Sequence, residues 1–451
     1  MLEKKINPEI FRAYDIRGIH ERDIDSNVFE KIGNAFRVFS GDKLVVGRDC
    51  RISSPELKDG FKKGITRAGV DVIDVGMAPR GVVMFASWKK GLNSAYITAS
   101  HLPPEWNGIK FVRKDGTSFS ENESQRIRDM VIKGDAVDSS WGNVTEERVI
   151  DDYEQHVLSR VPRPKKKLRI LLDCGNGTAG VVAPDMFRKA GHDVEVLFGE
   201  PDGRFPNRES ELTKDALEQA RKKANGFDLT VAFDGDADRI ALIDDQGRIV
   251  EPEIVAYVIM QELLKRKGGD VVANIECSKA VDEMASRFGR KVFRTQVGYA
   301  FVIKGIYQHN ACFGIEKSMH FCIPYIYPFD DGIAAGLYAA FALSESGRKF
   351  SEIVDEIPVM ITEQINYDCP DEKKPVVIES IKQKLAQEFQ NVNTLDGVRV
   401  DSDDAWFLIR QSNTSPIIRL NIEAQDKKTF NGLKERLKQM VADEIRGAQE
   451  N

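Results

Sequence analysis

At 451 residues the chain is too long for one ordinary hydrophobic core, and about 150 residues per domain suggests three domains or so. A formal net charge of −6, with no long basic run, argues against nucleic acid as an obligatory partner. The opening residues lack the apolar core of a signal peptide, and no uninterrupted apolar run of about 18 residues follows, so a cytoplasmic protein with no membrane partner is expected. Cysteines 50, 174, 277, 312, 322 and 369 are scattered without CxxC spacing, which favours buried free thiols over disulfides or a zinc site.

In chain order, one unit recurs: an apolar strand, an acidic residue followed by Cys, a helical stretch, a Gly and a second short strand. The first copy runs from Leu44-Val45-Val46 through Asp49-Cys50 and a helix beginning near Pro55 to Gly69 and the strand through Ile73. The second runs from Ile170-Leu171-Leu172 through Asp173-Cys174 to Gly191 and Val196, and the third from Asp270-Val271-Val272 through Glu276-Cys277 to Gly289 and Phe293. Strands alternating with helices imply βα units, hence three related α/β domains with mainly parallel mixed sheets. After about residue 362 the rhythm changes to a strand over 363–367, a helix over 375–389, the turn Leu395-Asp396-Gly397, strands over 406–409 and 417–422, and an amphipathic helix from Lys427. Strands adjacent in sequence predict an antiparallel sheet flanked by two helices, a smaller α+β domain. The expected division is 1–147, 148–250, 251–362 and 363–451.

Six segments carry candidate chemistry. Phe11-Arg12-Ala13-Tyr14-Asp15-Ile16-Arg17-Gly18 and Gly47-Arg48-Asp49-Cys50-Arg51 each offer arginines, whose forks match phosphate oxygens or serve as ion pairs. The strand ending at Thr98-Ala99-Ser100-His101-Leu102-Pro103-Pro104 stops at a loop stiffened by two prolines, so Ser100 and His101 are either an idle turn or a nucleophile held in one geometry. No GxSxG elbow supports a hydrolase triad. Directly after the apolar run 229–233, Asp234-Gly235-Asp236-Ala237-Asp238-Arg239 repeats a carboxylate at every second position. Two carboxylates about 4 Å apart repel by roughly 4 kcal/mol at an effective dielectric near 20, so three invite a divalent cation, and all-oxygen ligation suits Mg²⁺. The plainer reading is an acidic turn. Gly314-Ile315-Glu316-Lys317-Ser318-Met319-His320 mixes a carboxylate, a hydroxyl and an imidazole, which suits sugar hydroxyls; Arg410-Gln411-Ser412-Asn413-Thr414-Ser415-Pro416 is either a phosphate cradle or a common polar turn.

Together and in this order these segments resemble the α-D-phosphohexomutase family, which includes phosphomannomutase/phosphoglucomutase and phosphoglucosamine mutase. The phosphoserine loop T-[AG]-S-H-N-P resembles Thr98 to Pro103, the metal loop D-G-D-x-D-R matches Asp234 to Arg239, the sugar loop is similar to Ile315 to His320, and the phosphate loop R-x-S-N-T matches Arg410 to Thr414. The resemblance implies three α/β domains and a TATA-binding-protein-like α+β domain around a central cleft. It further implies a phosphosugar substrate and a phosphate on Ser100, with Mg²⁺ held by Asp234, Asp236, Asp238 and the Ser100 phosphate. Arg17, His101, Lys110 and Arg239 would be catalytic, Glu316, Ser318 and His320 would bind the sugar, and Arg410, Ser412, Asn413 and Thr414 its phosphate. The implied reaction moves a phosphoryl group between O6 and O1 of mannose or glucose phosphate through a 1,6-bisphosphate, which also serves as activator. Glucosamine or pentose phosphate is the alternative on the same scaffold, and a non-catalytic phosphosugar-binding paralogue the other. The chain departs from the family at Leu102, in place of Asn, at Ile315 and Met319, in place of glycines, and at Gln296, in place of a common lysine.

Overall fold

The computed structural model describes residues 6–12, 15–358, 360–412 and 415–450, and for 449 and 450 the backbone only. The chain forms two compact units, one of residues 1–268 with 318–353, the other of residues 269–317 with 354–451.

The first unit holds two mixed sheets. Strands β1 (Asp15–Ile19), β2 (Lys43–Arg48), β3 (Asp71–Met77), β4 (Asn93–Ile97), β5 (Trp106–Val112) and β6 (Val144–Glu146) are ordered β1-β5-β4-β2-β3-β6. The β4, β2, β3 and β6 strands run parallel, while β5 is antiparallel to both β4 and β1. Helices Ser26–Ser40 and Ser54–Arg67 pack on this sheet through a core that includes Phe36, Phe61, Phe111 and Phe119, with Phe36 stacked on Phe111 at 3.9 Å between ring centres. The second sheet contains β7 (Arg169–Asp173), β8 (Asp193–Leu197), β9 (Leu229–Phe233), β10 (Ile240–Ile243) and β11 (Ile249–Val250), ordered β11-β10-β9-β7-β8. All five residues of β9 are buried, as expected of a central strand covered on both faces, and the strand coincides with the apolar run read from sequence. Helices Pro252–Lys267 and Gly332–Ser346 pack on each other in this same unit, the latter also against β9 and β10.

In the second unit, β12 (Val271–Asn274), β13 (Val292–Thr295) and β14 (Phe313–Ile315) form a parallel set ordered β13-β12-β14. Back in the first unit, the two-residue β15 (Phe321–Cys322) is joined to Asp330 by an antiparallel bridge at Cys322. The C-terminal part of the second unit is the antiparallel sheet β16-β20-β19-β18-β17, made of β16 (Ile361–Asp368), β17 (Val392–Asn393), β18 (Val398–Asp401), β19 (Ala405–Gln411) and β20 (Ile417–Ala424). Helices Lys374–Glu388 and Lys427–Glu450 cover it, burying Val377, Ile381 and Leu385 from one and Phe430, Leu437, Val441 and Ile445 from the other, the spacing of helical faces. Ile275 beside Trp406 and Leu408, and Arg399 Nη1 donating to the carbonyls of Ile275 and Cys277, tie the β12 end to this sheet. Among the described residues no helix is long and apolar enough to cross a membrane.

Candidate active site

Two loops at the carboxyl ends of β4 and β9 build the centre of the first unit, where parallel strands of an α/β sheet commonly present ligands. Ser100 is fully buried and its φ is +53°, a left-handed conformation rare for non-glycine residues. Its backbone N–H donates to Thr98 Oγ1 at 2.8 Å, and its side-chain hydroxyl donates to Asp234 Oδ2 at 3.2 Å. Arg51, by sequence a phosphate fork or an ion-pair partner, pairs with Asp49 and holds this loop. Its guanidinium donates to the carbonyls of Ser100, Leu102, Pro103 and Trp106 and to Asp49 Oδ2, so its donors are spent on scaffold. Leu102 contributes its carbonyl, which also accepts from Ser210 Oγ at 3.2 Å. The aspartate loop approaches closely enough that a Cβ on Gly235 would stand 2.7 Å from the Ser100 carbonyl oxygen, which is why this spacer is glycine.

Asp234, Asp236 and Asp238 are all buried, and one ligand atom from each lies within 4.8 Å of the others. Asp236 Oδ2 accepts from Thr98 Oγ1 at 3.2 Å and from Lys110 Nζ at 3.5 Å; Asp238 Oδ2 accepts from Lys110 Nζ at 3.3 Å. The other oxygen of each, Oδ1, is buried with no hydrogen-bond partner. Burial, then Asp238 and Asp236, hold the Asp234 carboxyl well above the usual range. Burial would also raise Asp238, but Lys110 and His320 outweigh it and hold that carboxyl well below. Orphaned carboxylate oxygens beside a carboxyl forced up by its neighbours fit an oxygen-ligated divalent ion. The triad can therefore bind a metal ion.

Cations ring the triad. Lys110 lies on β5 opposite Asp15, and although burial would lower its ammonium, Asp236 and Asp238 outweigh that and keep it above its ordinary value. Arg239 donates its backbone N–H to Asp234 Oδ1 at 3.2 Å and its Nε to His320 Nε2 at 3.3 Å. Arg17 pairs with Asp15 at 2.7 Å. Arg239, then burial, Arg17 and Lys110, hold the His101 imidazole far below the usual histidine range, so it is neutral, and its Nδ1 has no hydrogen-bond partner.

The sugar-loop residues fall into different units. Ser318 and His320 belong to the first, where Ser318 Oγ is 3.0 Å from His320 Nδ1 and His320 Nε2 is 3.5 Å from Asp238 Oδ1. Met319 between them has φ +70° and packs against the buried cluster of Leu212, Leu217 and Ala220, so its side chain is absorbed by the core at a backbone cost of order 1 kcal/mol. Glu316 belongs to the second unit, where it is buried and its Oε1 accepts from Gly298 N at 2.9 Å and Asn274 Nδ2 at 3.2 Å. Ile315 is core in β14.

In the same unit Arg410 on β19 is 2% exposed, with Nη1 donating to Glu276 Oε1 at 3.1 Å and Nη2 to Asp396 Oδ2 at 3.5 Å. Its register partner on β20 is Arg419, so two guanidinium-bearing residues stand opposite each other with Glu276 near both. Burial raises Glu276, and the two arginines offset this only in part. Ser412 Oγ accepts from Ser415 N at 3.2 Å, and Lys374 Nζ donates to the carbonyls of Ser412 and Ser415. Asn413 and Thr414 lie outside the described residues. The sequence motifs do not single out Glu276 as a partner, Lys374, Arg80 or Asp330. Only the acidic pair Asp330-Asp331 before Gly332 carried a visible signal.

Family models match the chain over most of its length, as phosphoglucomutase/phosphomannomutase alpha/beta/alpha domain I over residues 8–138, domain II over 150–247, domain III over 251–360 and the C-terminal domain over 365–440. A Methanopyrus kandleri protein named "Probable phosphoglucosamine mutase" is 33% identical over 89% of this chain and 90% of its own. The phosphomannomutase/phosphoglucomutase of Pseudomonas aeruginosa is 32% identical over 94% of each chain. A crystal structure of a phosphoglucomutase/phosphomannomutase family protein from Burkholderia thailandensis superposes with a TM-score of 0.89 at 27% identity, covering 97% of this chain and 98% of the other.

Proposed function

Because the chain belongs to the phosphoglucomutase/phosphomannomutase family, we propose that it reversibly moves a phosphoryl group between O6 and O1 of a hexose phosphate, with glucosamine phosphate as the leading substrate. Sequence reading placed mannose and glucose phosphates first. The phosphoglucosamine mutase names of the archaeal relatives favour the alternative, while the Pseudomonas relatives keep mannose and glucose phosphates as the second reading. The observation that carries the reaction class is Ser100 Oγ standing 3.2 Å from Asp234 Oδ2 in a buried carboxylate triad ringed by cations.

In the working form Ser100 carries a phosphate. The P–O bond to Ser100 breaks as the substrate's free hydroxyl oxygen bonds to phosphorus, and the resulting 1,6-bisphosphate turns round to return its other phosphate to Ser100. Transfer of this kind is mainly alignment and charge stabilisation. Asp234, Asp236 and Asp238, with a phosphate oxygen on Ser100, would hold Mg²⁺, which supplies charge neutralisation at the transferring group. Lys110, kept cationic, is the candidate proton donor at the departing serine oxygen, and neutral His101, with Nδ1 unpartnered but its basicity lowered by the surrounding cations, is a weak acceptor. Arg17 and Arg239 add positive charge around the phosphoryl group. Arg410, with Ser412, Asn413 and Thr414, would grip the substrate's resting phosphate, and Glu316, Ser318 and His320 the ring.

Mass spectrometry of the Ser100 peptide should find an added phosphate that is lost on incubation with substrate. Parallel assays on glucosamine, mannose, glucose and ribose 1-phosphates should give the highest kcat/KM with glucosamine. A Ser100 peptide never phosphorylated in an active preparation would sink the serine route, and a mannose or glucose preference would reverse the substrate order.

A further inference from the structure

A fourth carboxylate joins the triad from the segment 318–353. Asp330 is buried, and Asp238, His320 and Asp330 each offer a ligand atom within 4.8 Å of the others. Asp330 Oδ1, like Asp238 Oδ1, is buried without a hydrogen-bond partner, and His320 Nε2, 3.9 Å from Asp330 Oδ2, accepts from Arg239 Nε at 3.3 Å, a contact that an ion at this set would displace. Two donor sets, Asp234/Asp236/Asp238 and Asp238/His320/Asp330, thus share Asp238. A shared carboxylate between adjacent sets is the layout of a two-ion centre, and two carboxylates with an imidazole suit a first-row divalent metal.

A guanidinium stands there instead. Arg80, 1% exposed, has Nη1 at 2.6 Å from Asp330 Oδ2 and 3.4 Å from Asp238 Oδ2. Arg80 opens the helix Arg80–Lys90, an end where the helix dipole disfavours a cation, so its charge serves the two carboxylates and not the helix. Its place is fixed from both sides: its backbone N–H donates to the Asp236 carbonyl at 2.9 Å, and a Cβ on the next residue, Gly81, would stand 2.3 Å from Asp331 Oδ2.

We propose that the Arg80 guanidinium is a resident cation in the place of a second divalent ion, so that the centre takes one ion per chain, and that removing this charge opens Asp238, His320 and Asp330 as a second metal site. The inference rests on the metal reading of the aspartate triad.

The test is Mn²⁺ binding to the purified full-length chain, counted from free Mn²⁺ by electron paramagnetic resonance. Wild type should saturate at one ion per chain and Arg80→Met at two, the second being lost again when Asp330→Asn is added. Arg80→Lys, which keeps the charge, should bind one. Two ions on wild type, or one on folded Arg80→Met, overturns the proposal. Should circular dichroism show Arg80→Met unfolded, Arg80→Gln serves in its place, with two ions expected and one overturning. No ion on wild type would instead break the reading of the triad itself.

Discussion

In the first unit Asp234, Asp236, Asp238 and Asp330 crowd one buried point, and Asp236, Asp238 and Asp330 each keep an oxygen with no hydrogen-bond partner. In the second unit the buried charge that matters is Arg410, already engaged by Glu276 and Asp396. One centre gathers carboxylates that Lys110, Arg80 and Arg239 only partly engage, leaving buried oxygens without a partner, and fits an added cation. The other keeps its cation neutralised by internal carboxylates, so on the proposed phosphate-binding role of Arg410 an arriving phosphate would compete with Glu276 and Asp396 for the same donors. Binding there would be an exchange of anions whose net gain is smaller than the bare attraction of a guanidinium for a phosphate.

The largest expected effect tests the first centre. Ser100→Ala should lower turnover by at least about a thousandfold with a bisphosphate activator present, because the acceptor oxygen is gone; a coupled mutase assay showing retained activity would refute the assignment. Next, Arg410→Ala should raise KM for the phosphosugar by about ten- to a hundredfold with a smaller change in kcat, the size of a lost charge-assisted hydrogen bond. Unchanged kinetics would mean that Glu276 and Asp396 never release this side chain and that the exchange picture is wrong. Gly235→Ala probes how tightly the first centre is prebuilt: a Cβ at 2.7 Å from the Ser100 carbonyl should cost about 1–3 kcal/mol in urea unfolding, and a neutral result would show slack between the two loops.

The smallest effect is a pH dependence belonging to the first unit alone. Burial lowers His192 to about 4, and its Nδ1 accepts from Leu168 N. Between about pH 4 and 6.5 the unfolded chain binds more protons than the folded one, so stability is fully present above 6.5 and is lost as pH falls towards 4. Replacing His192 with Asn should remove about 1 kcal/mol of that loss at pH 5.5, measured by unfolding at pH 5.5 and 7.5.

Much of this was legible in the chain. The apolar run 229–233 is β9 residue for residue, and the C-terminal strand, helix, turn, two strands and helix are all present, but the short strands β17 and β18 on either side of the turn at Asp396 were not expected. The Ser100 and Asp234 loops were visible because short-range constraints, prolines and alternating carboxylates, mark them in sequence. What was not legible depends on partners far along the chain. Arg51 reads in sequence as a phosphate fork or an ion pair; the pair with Asp49 is found, but no local pattern shows that its other donors go to carbonyls some 50 residues away. Arg80 follows a proline like many helix-opening residues, and only folding brings Asp238 and Asp330 to it. The packing of Pro252–Lys267 and Gly332–Ser346 in one unit, with β12 to β14 between them in sequence assigned to the other, likewise arises from long-range contacts.

The left-handed backbone at position 100 narrows which amino acid can occupy it. Threonine carries the same hydroxyl, but its branched Cβ crowds the neighbouring carbonyl at φ near +53°, so the change would strain the loop before any chemistry began. Asparagine, which enters that conformation more readily, would fit the backbone yet lacks a nucleophilic oxygen, while aspartate would fit it but carry phosphate as a more reactive acyl phosphate in place of a phosphate ester. Serine satisfies both the local geometry and the hydroxyl that the proposed phosphoserine route needs, and on that route the position has little freedom to drift.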